Sequence, residues 1–152
     1  MSKNFSLQTL MNLAQHQTDT AIRKLGELNR LEKSVQEKLD MLMEYRKDYQ
    51  SRLQVASQNG MDPAGLRNFQ QFIYKIDAAI EQQRRALTQS QASTQRGRTE
   101  FDSTQRKLKS YDTLKQRHIV TQQKVAEKSE QRAQDEHTGR ASARKMLDKQ
   151  NQ

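Results

Sequence analysis

The chain has no cysteine, no tryptophan and a single proline among its 152 residues. Without cysteine there is no disulfide framework and no thiolate nucleophile or metal ligand. A reducing, intracellular compartment is the expectation. One proline and five glycines leave few places where a long helix must break. Apolar residues make up 32% and aromatics 5%, against roughly 45–50% apolar in an average globular domain. That is too little apolar surface to wrap a layered core of this length, which argues against an ordinary globular enzyme fold. No run approaches the ~18–20 apolar residues of a membrane span, and residues 1–15 lack the apolar stretch of a signal peptide. Neither secretion nor direct membrane insertion is expected.

Catalytic motifs are missing too. There is no HExxH, no GxxxxGK[ST] and no GxSxG. His16, His118 and His137 are scattered, with no carboxylates converging on them at ligand spacing. The glycines stand singly, so no loop cradles a phosphate. No catalytic residue, metal site or cofactor is expected, and the chain is read as a non-enzyme.

What is present favours helix. Charged residues are 30%, and 22 glutamines add to them. Lys, Arg, Glu, Gln, Ala and Leu are good helix formers, whereas disordered chains are usually enriched in Pro, Gly and Ser. A narrow apolar seam between long helices is the remaining way to fold such a chain.

The seam is legible. A 4,3 alternation runs Leu7, Met11, Ala14, Thr18, Ala21, Leu25, Leu28, Glu32, Val35, Leu39, Leu42, Arg46, Tyr49, Leu53, Ala56. A sustained 3.5-residue period is the mark of a left-handed coiled coil. Thr18, Glu32 and Arg46 break it, and Leu31 and Tyr45, beside the last two breaks, are expected to turn into the seam. Ser57-Gln58-Asn59-Gly60 is turn chemistry. Asp62-Pro63 supplies an N-cap followed by proline at the first helical position. So short a connection between long helices predicts an antiparallel hairpin.

A second heptad series runs Phe69, Ile73, Ile76, Ile80, Gln83, Leu87. It weakens through Ser90, Thr94 and Gly97, then recovers at Phe101, Leu108 and Tyr111. Residues 88–99 are expected to form a thin, flexible or off-register stretch. Five i,i+4 charge pairs support helix: Asp19–Arg23, Asp48–Arg52, Glu81–Arg85, Asp102–Arg106 and Glu136–Arg140.

The expected fold is therefore all-α: a long two-helix antiparallel coiled-coil hairpin with a C-terminal helical overhang. Helix one covers about 5–57, starting near Phe5, and the turn about 58–62. Helix two is paired over about 63–114, and residue i faces residue 119 − i. Residues 115–152 overhang, with Ile119, Val120, Val125, Ala126, Ala133, Ala141, Met146 and Leu147 left without a partner in cis. Such a pattern points to a partner in trans or to a frayed tail.

Net charge is +9. By segment it is +2 over 1–60, +2 over 61–100 and +5 over 101–152, so the partner surface is acidic. Nucleic acid is the physical rival, but Glu127, Glu130, Asp135 and Glu136 interrupt the basic run, and the last aromatic is Tyr111. Nucleic acid is not the favoured partner. Near the turn, Phe72 stands one step off the seam. With Ala79 and Gln83, and with Ile76 joining, it forms a stripe that either widens the core or docks a partner.

In order along the chain, several stretches resemble the FliJ family of the bacterial flagellar type III export apparatus. They are Leu7-Gln8-Thr9-Leu10 with Leu13-Ala14, Leu25-Gly26-Glu27-Leu28, Met41-Leu42-Met43-Glu44-Tyr45 with Tyr49 and Leu53, Asn68-Phe69-Gln70-Gln71-Phe72-Ile73, and Ala79-Ile80-Glu81-Gln82. Further on come Tyr111 to Leu114, Gln134-Asp135-Glu136, Arg140-Ala141 and Arg144-Lys145. The resemblance implies an antiparallel coiled coil similar to the central shaft of rotary ATPases. It also implies three partners: the hexameric flagellar export ATPase, the cytoplasmic domain of the transmembrane export gate, and export chaperones. Its implied place is cytoplasmic, peripheral at the inner membrane at the flagellar base. The gate face it implies falls on Phe72, Ile76, Ala79 and Gln83, with Ile76 in place of a leucine and Gln83 in place of a histidine. The ATPase end it implies falls on Asp135, Glu136, Arg140, Arg144 and Lys145, supported by Leu7, Leu10 and Met11. Arg140 and Arg144 share one helix face, and a cation row suits a ring lined with carboxylates. The same physics fits the equivalent stalk of a virulence secretion system, a generic coiled-coil scaffold, or a helical nucleic-acid binder.

Overall fold

The computed structural model describes residues 2–152, with side chains from Ser6 onward. Two helices account for nearly all of it: α1 (Ser2–Gln58) and α2 (Pro63–Gln150). No strand occurs among the described residues. Helix α1 thus begins at Ser2, ahead of the expected Phe5.

The turn is built as its residues dictate. The Asn59 amide donates to the Val55 carbonyl at 3.2 Å and Gly60 to the Ser57 carbonyl at 3.4 Å. Gly60 takes φ +81°, a conformation that costs other L-residues about 1 kcal/mol. Asp62 then caps α2, its Oδ1 accepting the Gly65 amide at 3.1 Å. Nothing lies within 4 Å of where a Gly60 Cβ would stand. Gly60→Ala is therefore expected to cost about 1 kcal/mol from backbone conformation alone, read as a lower urea midpoint with unchanged slope.

The chain divides into two compact units, Ala14–Arg106 and Met1–Leu13 with Lys107–Gln152. In the first, the two helices pack antiparallel along the heptad seam. Ala14, Thr18, Ala21, Leu25 and Leu39 are buried from α1, and Ile76, Ile80, Ser90, Thr94 and Gly97 from α2. The centre is Leu39 with Ile76 and Ile80, and Leu42, Tyr49 and Leu87 pack around it. Among the described residues no side chain reaches complete burial, as expected of two helices with no third layer.

Four expectations change here. Leu31 and Tyr45 stay exposed and do not turn into the seam. Glu32 and Arg46 keep the seam positions themselves, half-buried, with aliphatic stems that cover apolar surface while their heads reach water or a partner. The tract 88–99 is neither thin nor off-register, because α2 is continuous and Ser90, Thr94 and Gly97 are among its most buried residues. Small side chains there let α1 come close: a Cβ on Gly97 would stand 2.6 Å from Leu28 Cδ1. The facing residues also lie further along α2 than the symmetric rule puts them. Lys24 meets Glu100 at 3.6 Å rather than Gln95. Finally, of the five expected charge pairs, only Asp48–Arg52 forms, at 3.2 Å. Glu81 pairs with Arg84 instead of Arg85, and Asp19 accepts from Gln15 Nε2. Among the described residues no ion pair joins Asp102 to Arg106 or Glu136 to Arg140.

In the second unit, Leu7 and Met11 are half-buried with Leu108, Tyr111, Lys115 and His118. Beyond His118 every residue of α2 is exposed.

Candidate functional site

The hairpin unit offers two flanks with different chemistry. On one, Arg46 Nε donates to Asp77 Oδ1, with Nη2 at 3.5 Å from Oδ2 and Nη1 at 3.1 Å from Gln50 Oε1. The Asp77 hydrogen bond, then its charge, raises Arg46 above its ordinary pKa. Glu81 and Arg84 continue this flank, which holds a groove of about 450 Å³ lined by charged residues together with Met43 and Ile80. The other flank is apolar. Lys38, Met41 and Leu42 of α1 share a groove of about 360 Å³ with Ala79, Gln82, Gln83 and Ala86 of α2. Met41 and Tyr45, 55% and 57% exposed, stand on it. Leu31 and Val55 repeat their positions at two-heptad spacing and are equally open.

The four residues of the expected gate face divide between surface and seam. Phe72 is 41% exposed, and its ring stacks on Tyr49 with centroids 4.4 Å apart and planes at 27°. It is neither pure core nor free surface, since one ring face is covered and the other is open. Ala79 is half-buried at the groove edge. Ile76, at 7% exposure, belongs to the core with Leu39 and Ile80. Gln83 is half-buried, and its Nε2 donates to the Val35 carbonyl across the helices at 3.1 Å. Met41 and Tyr45 add large exposed apolar surface to this flank, although Tyr45 was expected to turn into the seam. The signal was available: Leu31 with Tyr45, and Met41 with Val55, are large apolar residues fourteen apart and off the seam.

In the other unit, Leu7, Gln8 and Met11 line a hollow of about 170 Å³ with Lys115, His118, Ile119 and Gln122. Leu10 lies outside the seam and is exposed. Asp135, Glu136, Arg140, Arg144 and Lys145 are all exposed along α2. Among the described residues none of the five has an ion-pair partner within 4.0 Å. Val125, Met146 and Leu147 are exposed on the same segment.

No group of three or more His, Cys, Asp or Glu that could hold a metal ion occurs among the described residues. No described helix is long and apolar enough to cross a membrane.

These features define an all-α coiled-coil hairpin protein. The sequence matches the family described as "Flagellar FliJ protein" over residues 2–147. A "Flagellar FliJ protein" of Salmonella typhi is 32% identical over 145 residues, covering 95% of this chain and 99% of the relative. One of Escherichia coli (strain K12) is 29% identical over 145 residues, with the same coverage. The chain belongs to the FliJ family and is a component of bacterial flagellar protein export.

Proposed function

We propose that the chain is a non-enzymatic stalk of the flagellar export apparatus that binds the hexameric export ATPase and the cytoplasmic domain of the export gate. The ATPase ring takes the C-terminal segment of α2, through Asp135, Glu136, Arg140, Arg144 and Lys145, with Leu7, Leu10 and Met11 in support. The gate takes the apolar flank: Phe72 and Ala79 at the surface, Ile76 and Gln83 holding them from the seam, Met41 and Tyr45 alongside. Export chaperones are further partners. The protein acts at the cytoplasmic face of the inner membrane and promotes ring assembly and ATPase activity.

One observation carries the ring half of this reading. Beyond Gln122, the last residue of the hollow with Leu7 and Met11, an unbroken helix exposes apolar and cationic residues together. Exposed apolar residues on a single helix call for a partner surface, and a ring lined with carboxylates would cover the helix and neutralise the cations. The flagellar relatives favour this over a virulence counterpart.

The test is ATP hydrolysis by the cognate export ATPase, titrated with this protein. The parent chain should stimulate saturably and promote ring formation. Arg140→Glu with Arg144→Glu should return hydrolysis to its basal rate, with the circular-dichroism helix signal unchanged. Undiminished stimulation by that variant would remove these cations from the interface.

A further inference from the structure

The apolar part of the seam does not by itself choose how α1 aligns on α2. Leu28, Val35 and Leu42 on α1 and Ile73, Ile80 and Leu87 on α2 recur every seven places, while Leu25, Leu39 and Leu53 are fourteen apart with Glu32 and Arg46 between them. Sliding one helix by a heptad again sets aliphatic side chains against one another in the layers of Val35 and Leu42, whereas Glu32 or Arg46 takes the place of Leu39. The connection between Gln58 and Pro63 can absorb such a slip by melting or winding a single helical turn at the tip.

The polar residues do not repeat. Arg46 meets Asp77, Gln83 meets the Val35 carbonyl, and Thr94 Oγ1 lies 3.4 Å from the Leu28 carbonyl while also donating to Ser90. A slip of one heptad in one direction sets Arg46 beside Gln70 and Asp77 beside Leu39. In the other direction Arg46 comes beside Arg84, a like charge, and Asp77 beside Leu53. Either way a carboxylate is left against a leucine and a guanidinium loses its partner. The pair as it stands is partly open, with 38% and 41% of the two side chains exposed, and such ion pairs add little stability. Arg46 occupies a position where the heptad would accept leucine. Polar residues at such positions are known to specify alignment at some cost in stability.

We propose that Arg46–Asp77, backed by Gln83 and Thr94, is a register lock that selects one antiparallel alignment from several the apolar seam would accept. The alignment decides which α1 side chains stand beside Phe72 and Ala79, so the lock fixes the composition of the apolar flank. The lock is a property of the hairpin and does not depend on the proposed partners.

The absence of cysteine makes the test clean. Glu100→Cys is combined in turn with Lys24→Cys, which reads the native alignment, and with Gln17→Cys or Leu31→Cys, which read slips of one heptad. In the parent background the Lys24 pairing should form disulfide with at least about tenfold preference over the other two. In an Arg46→Leu, Asp77→Leu, Gln83→Leu, Thr94→Val background, one slipped pairing should rise to within about threefold of the native one, while the melting temperature holds or increases. Retention of the native disulfide alone would overturn the proposal. Loss of the folded helix signal would overturn it equally, by making these residues necessary to the fold itself rather than to its alignment.

Discussion

Ile76→Ala should lower the stability of the hairpin by about 3 kcal/mol, the middle of the range for truncating a buried aliphatic side chain. For a chain of this size that corresponds to a fall of roughly 6–12 °C in melting temperature. The reason is position. Ile76 lies against Leu39 and Ile80 at the centre of the only cluster of buried apolar residues described in this hairpin. Two helices have no third layer to collapse into the cavity, so the lost methyls are not replaced. Phe72, four residues away on the same helix, should behave in the opposite manner. Its open ring face leaves mainly the stacking on Tyr49 to lose, worth about 0.5–1.5 kcal/mol. Phe72→Asp should therefore melt only a few degrees below the parent yet bind the gate domain at least about tenfold more weakly, since a carboxylate in an apolar interface is left unpaired. Paired thermal and binding measurements on the two variants separate the roles. If Ile76→Ala kept its melting temperature and lost binding alone, the division between seam and surface would be wrong.

That division marks where sequence reasoning stops. A period of 3.5 is a property of spacing, and spacing is written in the sequence. Every predicted α1 seam position from Leu7 to Ala56 is buried or half-buried. The turn was legible from local chemistry, because Gly60 reaches the positive φ that other residues resist and Pro63 fixes its own φ and restricts Asp62 before it. What could not be read was which neighbour of a seam position faces in, since that depends on the partner helix. Leu31 and Tyr45 are more apolar than Glu32 and Arg46, yet they stay outside: Arg46 has a carboxylate to reach on α2, and no spacing rule records that. The site is a harder case. The second heptad already sets Ile76 and Gln83 in the seam and Phe72 beside it, but only packing against α1 reveals that Phe72 stacks on Tyr49 and stays half open. The cations of the C-terminal segment were visible in composition alone, because no fold competes for them.

Small residues in the seam were the clearest misreading, and they carry the second large effect expected of a substitution. On a hydropathy scale Ser90, Thr94 and Gly97 look like a gap. In three dimensions all three are buried in the seam, and at Gly97 Leu28 and Leu25 fill the room that a side chain would take. Gly97→Ala should be nearly neutral. It gains about 1 kcal/mol of helix propensity, and the new Cβ meets only the end of Leu28, a flexible side chain that can swing aside. Gly97→Val should cost about 2–3 kcal/mol, the upper part of the range for overpacking. Its added methyls are driven towards Leu25, whose Cα already lies 4.0 Å from the Cβ position, and backbone cannot rotate out of the way. Relief should come from the other side of the same contact. Leu28→Ala alone should destabilise, but combined with Gly97→Val it should cost less than the two separately, a coupling of about 1 kcal/mol or more in a double-mutant cycle. Additive losses would mean that Gly97 and Leu28 do not share the contact. The seam through residues 88–99 would then be looser than the burial of Ser90, Thr94 and Gly97 implies.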